Sequence, residues 1–347
     1  MVKQFEIFLW SIVLLAGLTC PAFAQRIEVE NAGEAELIKP SEHIELSGVA
    51  TIDNNPDLVL TANDDKSSLR ILNLKDTTVK GYVSIEGITR TDWEGLARDP
   101  EGYYYALNQL QVVRFSLKGV DIKADQILVK PDRKWKLFFP PNECDLPATY
   151  ETEIEGIAIR TTNSNSKNST LELLIGRRKP GDLVRIFKTN IAPLPKSEAT
   201  LWLKCFSKPF YAGMNDGVPF ELSSLEYVIK WNGSLIITSA EEKSSAGNLH
   251  GNALWFLPDP PSDNSPVAPQ LVWLFGNGKK AEGITLLQSD DPTKIEAIIV
   301  YDNDGKDQSM VQKIVLTRWP KVSVPSGAND SKPAPAQTPP HQKPEFN

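Results

Sequence analysis

Histidine, cysteine and methionine occur only three times each in the 347 residues. His43, His250 and His341 stand far apart and make no ligand cluster, which argues against a zinc site of the His/Cys kind. No Gly-x-Ser-x-Gly elbow is present, and no Gly-x-x-x-x-Gly-Lys loop. A serine-hydrolase nucleophile and a phosphate-cradling loop therefore both lack their signatures. Basic charge is not in surplus either. The net charge is −7 and the isoelectric point about 5.2, so no nucleic-acid partner is expected, because phosphates need a basic surface. No segment sustains a 3.6-residue apolar period, which excludes a helical solenoid.

Long apolar runs are confined to the start of the chain. Lys3, the apolar stretch Phe8 to Leu18, and Ala22-Phe23-Ala24 read as an export signal over residues 1–24, cleaved before Gln25. The run is too short for a membrane span, so none is expected after cleavage, and the location is periplasmic or secreted. Acylation at Cys20 is the weaker alternative, since Thr19 precedes it. Cleavage leaves Cys144 and Cys205, which in an exported chain either form one disulfide or stay as two buried thiols; the pair is the expectation. At the other end, residues 321–347 are rich in Pro, Ala, Ser and Lys, and read as a disordered tail that cannot bury a core.

Between the ends, one pattern recurs: an acidic or small residue, then glycine (serine in the fourth copy), then a short apolar strand, a turn and a second apolar strand. Its copies begin at Ser47-Gly48-Val49-Ala50, Glu94-Gly95-Leu96-Ala97, Glu155-Gly156-Ile157-Ala158, Ser223-Ser224-Leu225-Glu226 and Glu282-Gly283-Ile284-Thr285. The copies fall roughly 45–70 residues apart, close to the spacing of propeller repeats. Glycine suits the crowded start of an innermost strand, because the absence of Cβ lets backbones approach. The pattern predicts an all-β chain with a single β-propeller over residues 25–320, built of four-stranded antiparallel blades. Five blades are expected, or six if the long third or fourth unit hides a degenerate one. Arg26-Ile27-Glu28-Val29 and His43-Ile44-Glu45-Leu46 are the candidates for an N-terminal strand that completes the last blade and removes two open edges.

These motifs, together with Asp92-Trp93, Asn63-Asp64-Asp65, Ile175-Gly176-Arg177-Arg178-Lys179-Pro180 and Val300-Tyr301-Asp302, resemble a bacterial β-propeller family of unknown function. That family is distantly similar to phytase-like and esterase-like propellers. The resemblance covers about Ser47 to Trp319 and implies a propeller fold, without an assigned reaction. The fourth unit departs: the family tends to an Ile-Arg-Asp run where this chain has Leu222-Ser223-Ser224-Leu225.

In a propeller, residues before each inner strand and after the next strand gather at the channel mouth. The first set is Glu94, Glu155 and Glu282; the second includes Asp64, Asp65, Asn108, Arg177, Arg178, Glu241, Asp302 and Asp304. Carboxylates crowded at one channel need protons, arginine partners or a cation. Three readings stay open. In the first, Glu94, Glu155, Glu282, Asp64 and Asp302 hold a cation such as Ca²⁺, and Glu94, Glu155, Glu282 and Arg178 serve as a catalytic set. The chain is then a cation-dependent hydrolase of a small anionic phosphoester, ester or lactone, with Arg177 or Arg178 holding the anion. In the second, the ring is a binding site or a structural cation site without turnover. In the third, the acids only brace the blades. Trp93, Trp135, Trp231, Trp255 and Trp273 are expected in blade interfaces rather than as sugar platforms, and His250 in a solvated loop.

Overall fold

The computed structural model describes residues 26–39, 45–52, 55–63, 66–89, 92–146, 153–162, 170–178, 183–215, 218–240, 252–275, 280–287, 289–302 and 309–319. The signal, the tail, His43, Asp64, Asp65, Glu241, His250 and Asp304 lie outside them. Among the described residues no helix is long and apolar enough to cross a membrane.

Five sheets form five blades. The first runs Leu46–Ile52, Asn55–Asn63, Leu69–Asn73 and Thr78–Ile85, from the channel outward. The second runs Trp93–Arg98, Tyr103–Asn108, Gln111–Ser116 and Pro131–Phe138. Ile154–Thr162, Thr170–Arg177 and Leu183–Asn190 make the third, edged by the short strands Lys204–Cys205 and Phe210–Tyr211. Val218–Val228, Gly233–Ala240, Asn252–Pro258 and Gln270–Leu274 make the fourth. The fifth holds Lys280–Leu287, Lys294–Asp302 and Met310–Arg318, and its outer strand is Ile27–Ala32 from the other end of the chain. The ring thus closes through the first of the two candidate strands, while Leu46 opens the innermost strand of the first blade.

Burial explains the sequence of each strand. Inner strands are covered on both faces by neighbouring blades, so they read as apolar runs, as in Tyr104 to Leu107. Outer strands keep one wet face and alternate, as in Lys136, Leu137 and Phe138. Five buried clusters correspond to the five blade interfaces. Trp93 packs between the first and second blades, Trp135 between the second and third, and Trp231 between the fourth and fifth. Each of these indoles is buried and donates its N–H to a backbone carbonyl, at 3.0–3.3 Å. They are core, as expected. Val49, Val59, Ile298 and Val300 seal the closing interface of the fifth blade on the first.

Two features depart from plain four-stranded antiparallel blades. Gln126–Val129 adds a parallel fifth strand outside Thr78–Ile85 of the first blade, then leads into the outer strand of the second. Thr200–Trp202 does the same outside Pro131–Phe138 before the chain returns to the third blade's outer edge at Lys204–Cys205. Each segment straps two neighbouring blades together. The Cys144–Cys205 disulfide, with Cα atoms 5.2 Å apart, ties the connector before the third blade to that blade's outer edge.

Two arginine clusters brace the end of the ring away from the inner-strand starts. Arg114 lies 3.3 Å above the Tyr103 ring and pairs with Asp132, and its Nε donates to Tyr105 Oη at 3.0 Å. Tyr105 in turn donates to Asp99 at 2.8 Å, whose other oxygen accepts the Glu101 and Tyr103 amides. Arg160 donates twice to Asp259, at 3.0 and 2.8 Å, pairs with Glu172, and sits over Phe206 and Tyr227.

Candidate functional site at the channel mouth

The recurring pattern has a structural cause that its letters alone do not disclose. All five innermost strands carry a β-bulge at the same place, between Leu46 and Gly48, Trp93 and Gly95, Ile154 and Gly156, Leu222 and Ser224, and Ala281 and Gly283. The extra residues are Ser47, Glu94, Glu155, Ser223 and Glu282. A bulge turns its unpaired residue out of the ladder and re-aims the side chain. The next residue meets the following blade: a Cβ on Gly48 would stand 2.8 Å from Gly95 Cα, and one on Gly283 would stand 3.1 Å from Gly48 Cα. Glycine there lets the inner strands close at the axis.

A cavity of ≈ 490 Å³ opens at this end. Of the expected residues, Glu94, Glu155, Glu282, Arg178 and Asp302 all line it. Asp64 lies outside the described residues, and Arg177 is buried beneath the wall against Phe139. Asn108 is buried too, its side-chain amide donating to the Asp92 carbonyl at 3.0 Å. Ser47, Asp92, Gln109, Glu153 and Lys280 complete the polar lining. Glu153, Lys280 and Glu221 were not singled out in the sequence, and Asp92 was named there only as part of a family motif. They share a signal: each stands two residues before a bulged residue.

The charges are not left bare. Arg178 Nη1 donates to Glu155 at 2.9 Å and its Nε to Glu221 at 3.2 Å, which ties the third blade to the fourth. Lys280 Nζ stands 2.9 Å from Glu282. Burial pushes the Glu155 carboxyl up to about 7; Arg178 pulls against this and the nearby Glu282 charge adds to it. Burial disfavours the Arg178 charge, but Glu155 and Glu282 outweigh it, so the guanidinium is held more firmly protonated than usual. Lower among the inner strands, Glu226 is only partly reached by solvent and burial raises its carboxyl to about 8.

Among the described residues no three His, Cys, Asp or Glu side chains are placed to hold a metal ion. Glu155 and Glu282 face Arg178 and Lys280 instead. What the arrangement offers is a carboxyl poised to exchange a proton near neutrality, beside a guanidinium suited to an oxyanion.

No family model matches the chain, and no curated protein matches it. Among solved structures, the glutaminyl cyclase of Myxococcus xanthus aligns with 86% of this chain and 100% of its own, at 11% identity and a TM-score of 0.46. A GH62 hydrolase in complex with xylotriose aligns with 82% of this chain and 96% of its own, at 10% identity and a TM-score of 0.45. Likenesses this distant carry no function. The strand pairings themselves make the chain a five-bladed β-propeller with an acid-lined mouth.

Proposed function

We propose that the protein is an exported propeller hydrolase, acting on a small phosphoester, ester or lactone at the mouth. The observation that supports this reading is the Glu155–Arg178 pair inside the cavity. A carboxyl titrating near 7 is matched to giving or taking a proton at neutral pH. Arg178 holds the substrate's anionic oxygen, which first requires loosening its contact with Glu155 or Glu221. Glu94, Glu282 and Asp302 shape the charge around them. Export is supported by the leader-like start and by the Cys144–Cys205 disulfide, which belongs in an oxidising compartment.

Calcium remains part of the proposal only as a test condition, because no step needs it. The purified mature protein would be screened against phosphomonoesters, aryl esters and lactones with Ca²⁺, Mg²⁺ or EDTA. Turnover that is lost in Glu155→Gln supports the hydrolase; turnover that EDTA also abolishes restores the cation.

A second reading rests on charge. Among the described residues, the cavity is lined by Asp92, Glu94, Glu153, Glu155, Glu282 and Asp302 against Arg178 and Lys280. A non-catalytic propeller that binds a cationic ligand fits that surplus. Absence of turnover across the panel, with Ca²⁺ or a small amine raising the melting temperature, favours it.

A further inference from the structure

The five bulges differ in one respect. Three present glutamate and two present serine, and the serines do not simply face the cavity. Ser223 is buried and its Oγ donates to the carbonyl of Ala281 at 2.8 Å. Ser47 is buried and donates to the carbonyl of Trp93. Ala281 and Trp93 each immediately precede a bulged glutamate of the next blade, Glu282 and Glu94. The same contact therefore occurs twice around the ring, at the first-to-second and fourth-to-fifth interfaces, each time on the peptide that carries a mouth carboxylate.

We propose that Ser47 and Ser223 are positioning residues: each bulged serine clamps the peptide leading into the next blade's bulged glutamate and so sets the direction of Glu94 or Glu282 at the mouth. A bulge lacks one ladder hydrogen bond, so its peptide is free to rotate unless another donor fixes the carbonyl. A hydroxyl from the neighbouring blade supplies that donor without adding charge to an acidic cavity. The third blade's Glu155 is held differently, by Arg178, which reaches on to Glu221 of the fourth blade. Each mouth glutamate is thus fixed by a contact that crosses a blade interface: at Glu155 the contact is made to the carboxylate itself by Arg178, whereas at Glu94 and Glu282 it is made to the preceding peptide by a serine.

The proposal rests on the mouth being the working site, but its first test needs no turnover. Crystal structures of Ser223→Ala and Ser223→Thr would be compared with the parent. In the alanine variant the Glu282 carboxylate should leave Lys280, from 2.9 Å to beyond about 4 Å; threonine, which keeps the hydroxyl, should hold it in place. A Glu282 that stays on Lys280 in Ser223→Ala, with only the melting temperature lowered, overturns the proposal and leaves the serine as a brace. Should Ser223→Ala fail to fold, Ser47→Ala puts the same question at the other interface, read by whether the Glu94 side chain moves. If the screen finds turnover, Ser223→Ala should lower kcat by about 10- to 100-fold with KM little changed, and Ser223→Thr should restore it. Equal kcat in all three proteins also overturns the proposal, while a parent without any turnover counts against the hydrolase reading and not against the clamp.

Discussion

The two ends of the ring use the same side chains for opposite purposes. At the far end, Arg114 and Arg160 are stacked on aromatic rings and matched by Asp99, Asp132, Asp259 and Glu172. A hollow of ≈ 270 Å³ opens beside Asp99 and Arg114, but that cluster already has its donors and acceptors within hydrogen-bond reach of one another. At the mouth, carboxylates outnumber cations around a larger space, and one of them sits near the middle of its titration at neutral pH. An ion cluster with aromatic lids and matched charge braces a fold. One with surplus charge of a single sign, facing water, is the arrangement on which the proposed function rests.

The comparison can be broken most sharply at the far end. Arg114→Ala removes the buried cation shared by Asp99 and Asp132 and leaves a gap beneath the Tyr103 ring, so unfolding by urea should show a loss of about 3–5 kcal/mol. A loss below about 1 kcal/mol would mean the far cluster is no brace. Gly48→Ala, at the axis near the mouth, forces a methyl group against the backbone of Gly95 and should cost about 1–3 kcal/mol. Its effect should appear equally with and without any ligand, since the closing of the blades is at stake and not the cavity's charge.

Glu155→Gln sharpens the contrast through pH. The Glu155 carboxyl is raised in the fold, so the folded state holds a proton that the unfolded chain has released. Its contribution is therefore fully present below the ordinary glutamate range near 4.5 and is lost as pH climbs to about 7. Wild-type stability should fall across that window, and the glutamine variant should show a shallower slope there. Glu226, raised to about 8, should keep a residual slope in both proteins. At pH 7 Glu155→Gln itself should change stability by less than about 1 kcal/mol, far less than Arg114→Ala, because a half-protonated carboxyl loses little on becoming an amide. Identical pH profiles would remove the case for a poised acid. The smallest change is expected for Lys75→Ala, whose pair with Asp57 is solvent-exposed: within about 0.5 kcal/mol.

Much of this was legible in the chain. The Glu-Gly, Ser-Gly and Ser-Ser copies located all five inner strands, because axial crowding demands small residues wherever backbones converge, as at Gly48 and Gly283. Glu94, Glu155, Glu282, Arg178 and Asp302 were found for the same reason, since residues flanking those strands must gather at one end. Lys280 and Glu221 were missed because their place two residues before a bulge becomes a signal only once the bulges are known, and a bulge shows in strand pairing rather than in the letters. The straps at Gln126–Val129 and Thr200–Trp202 were missed for a different reason. Parallel pairing with the preceding blade depends on where a connector runs over the surface, and a short alternating segment reads the same wherever it docks.

The pairing of Ile27–Ala32 with Met310–Arg318 carries a last consequence. The circle cannot be completed until nearly the whole polypeptide has been made, so a ribosome-bound intermediate must keep its first and last sheets unjoined. Contacts between such remote partners are slow to find. That delay is compatible with the export proposed above, in which the chain would cross a membrane before taking its final shape.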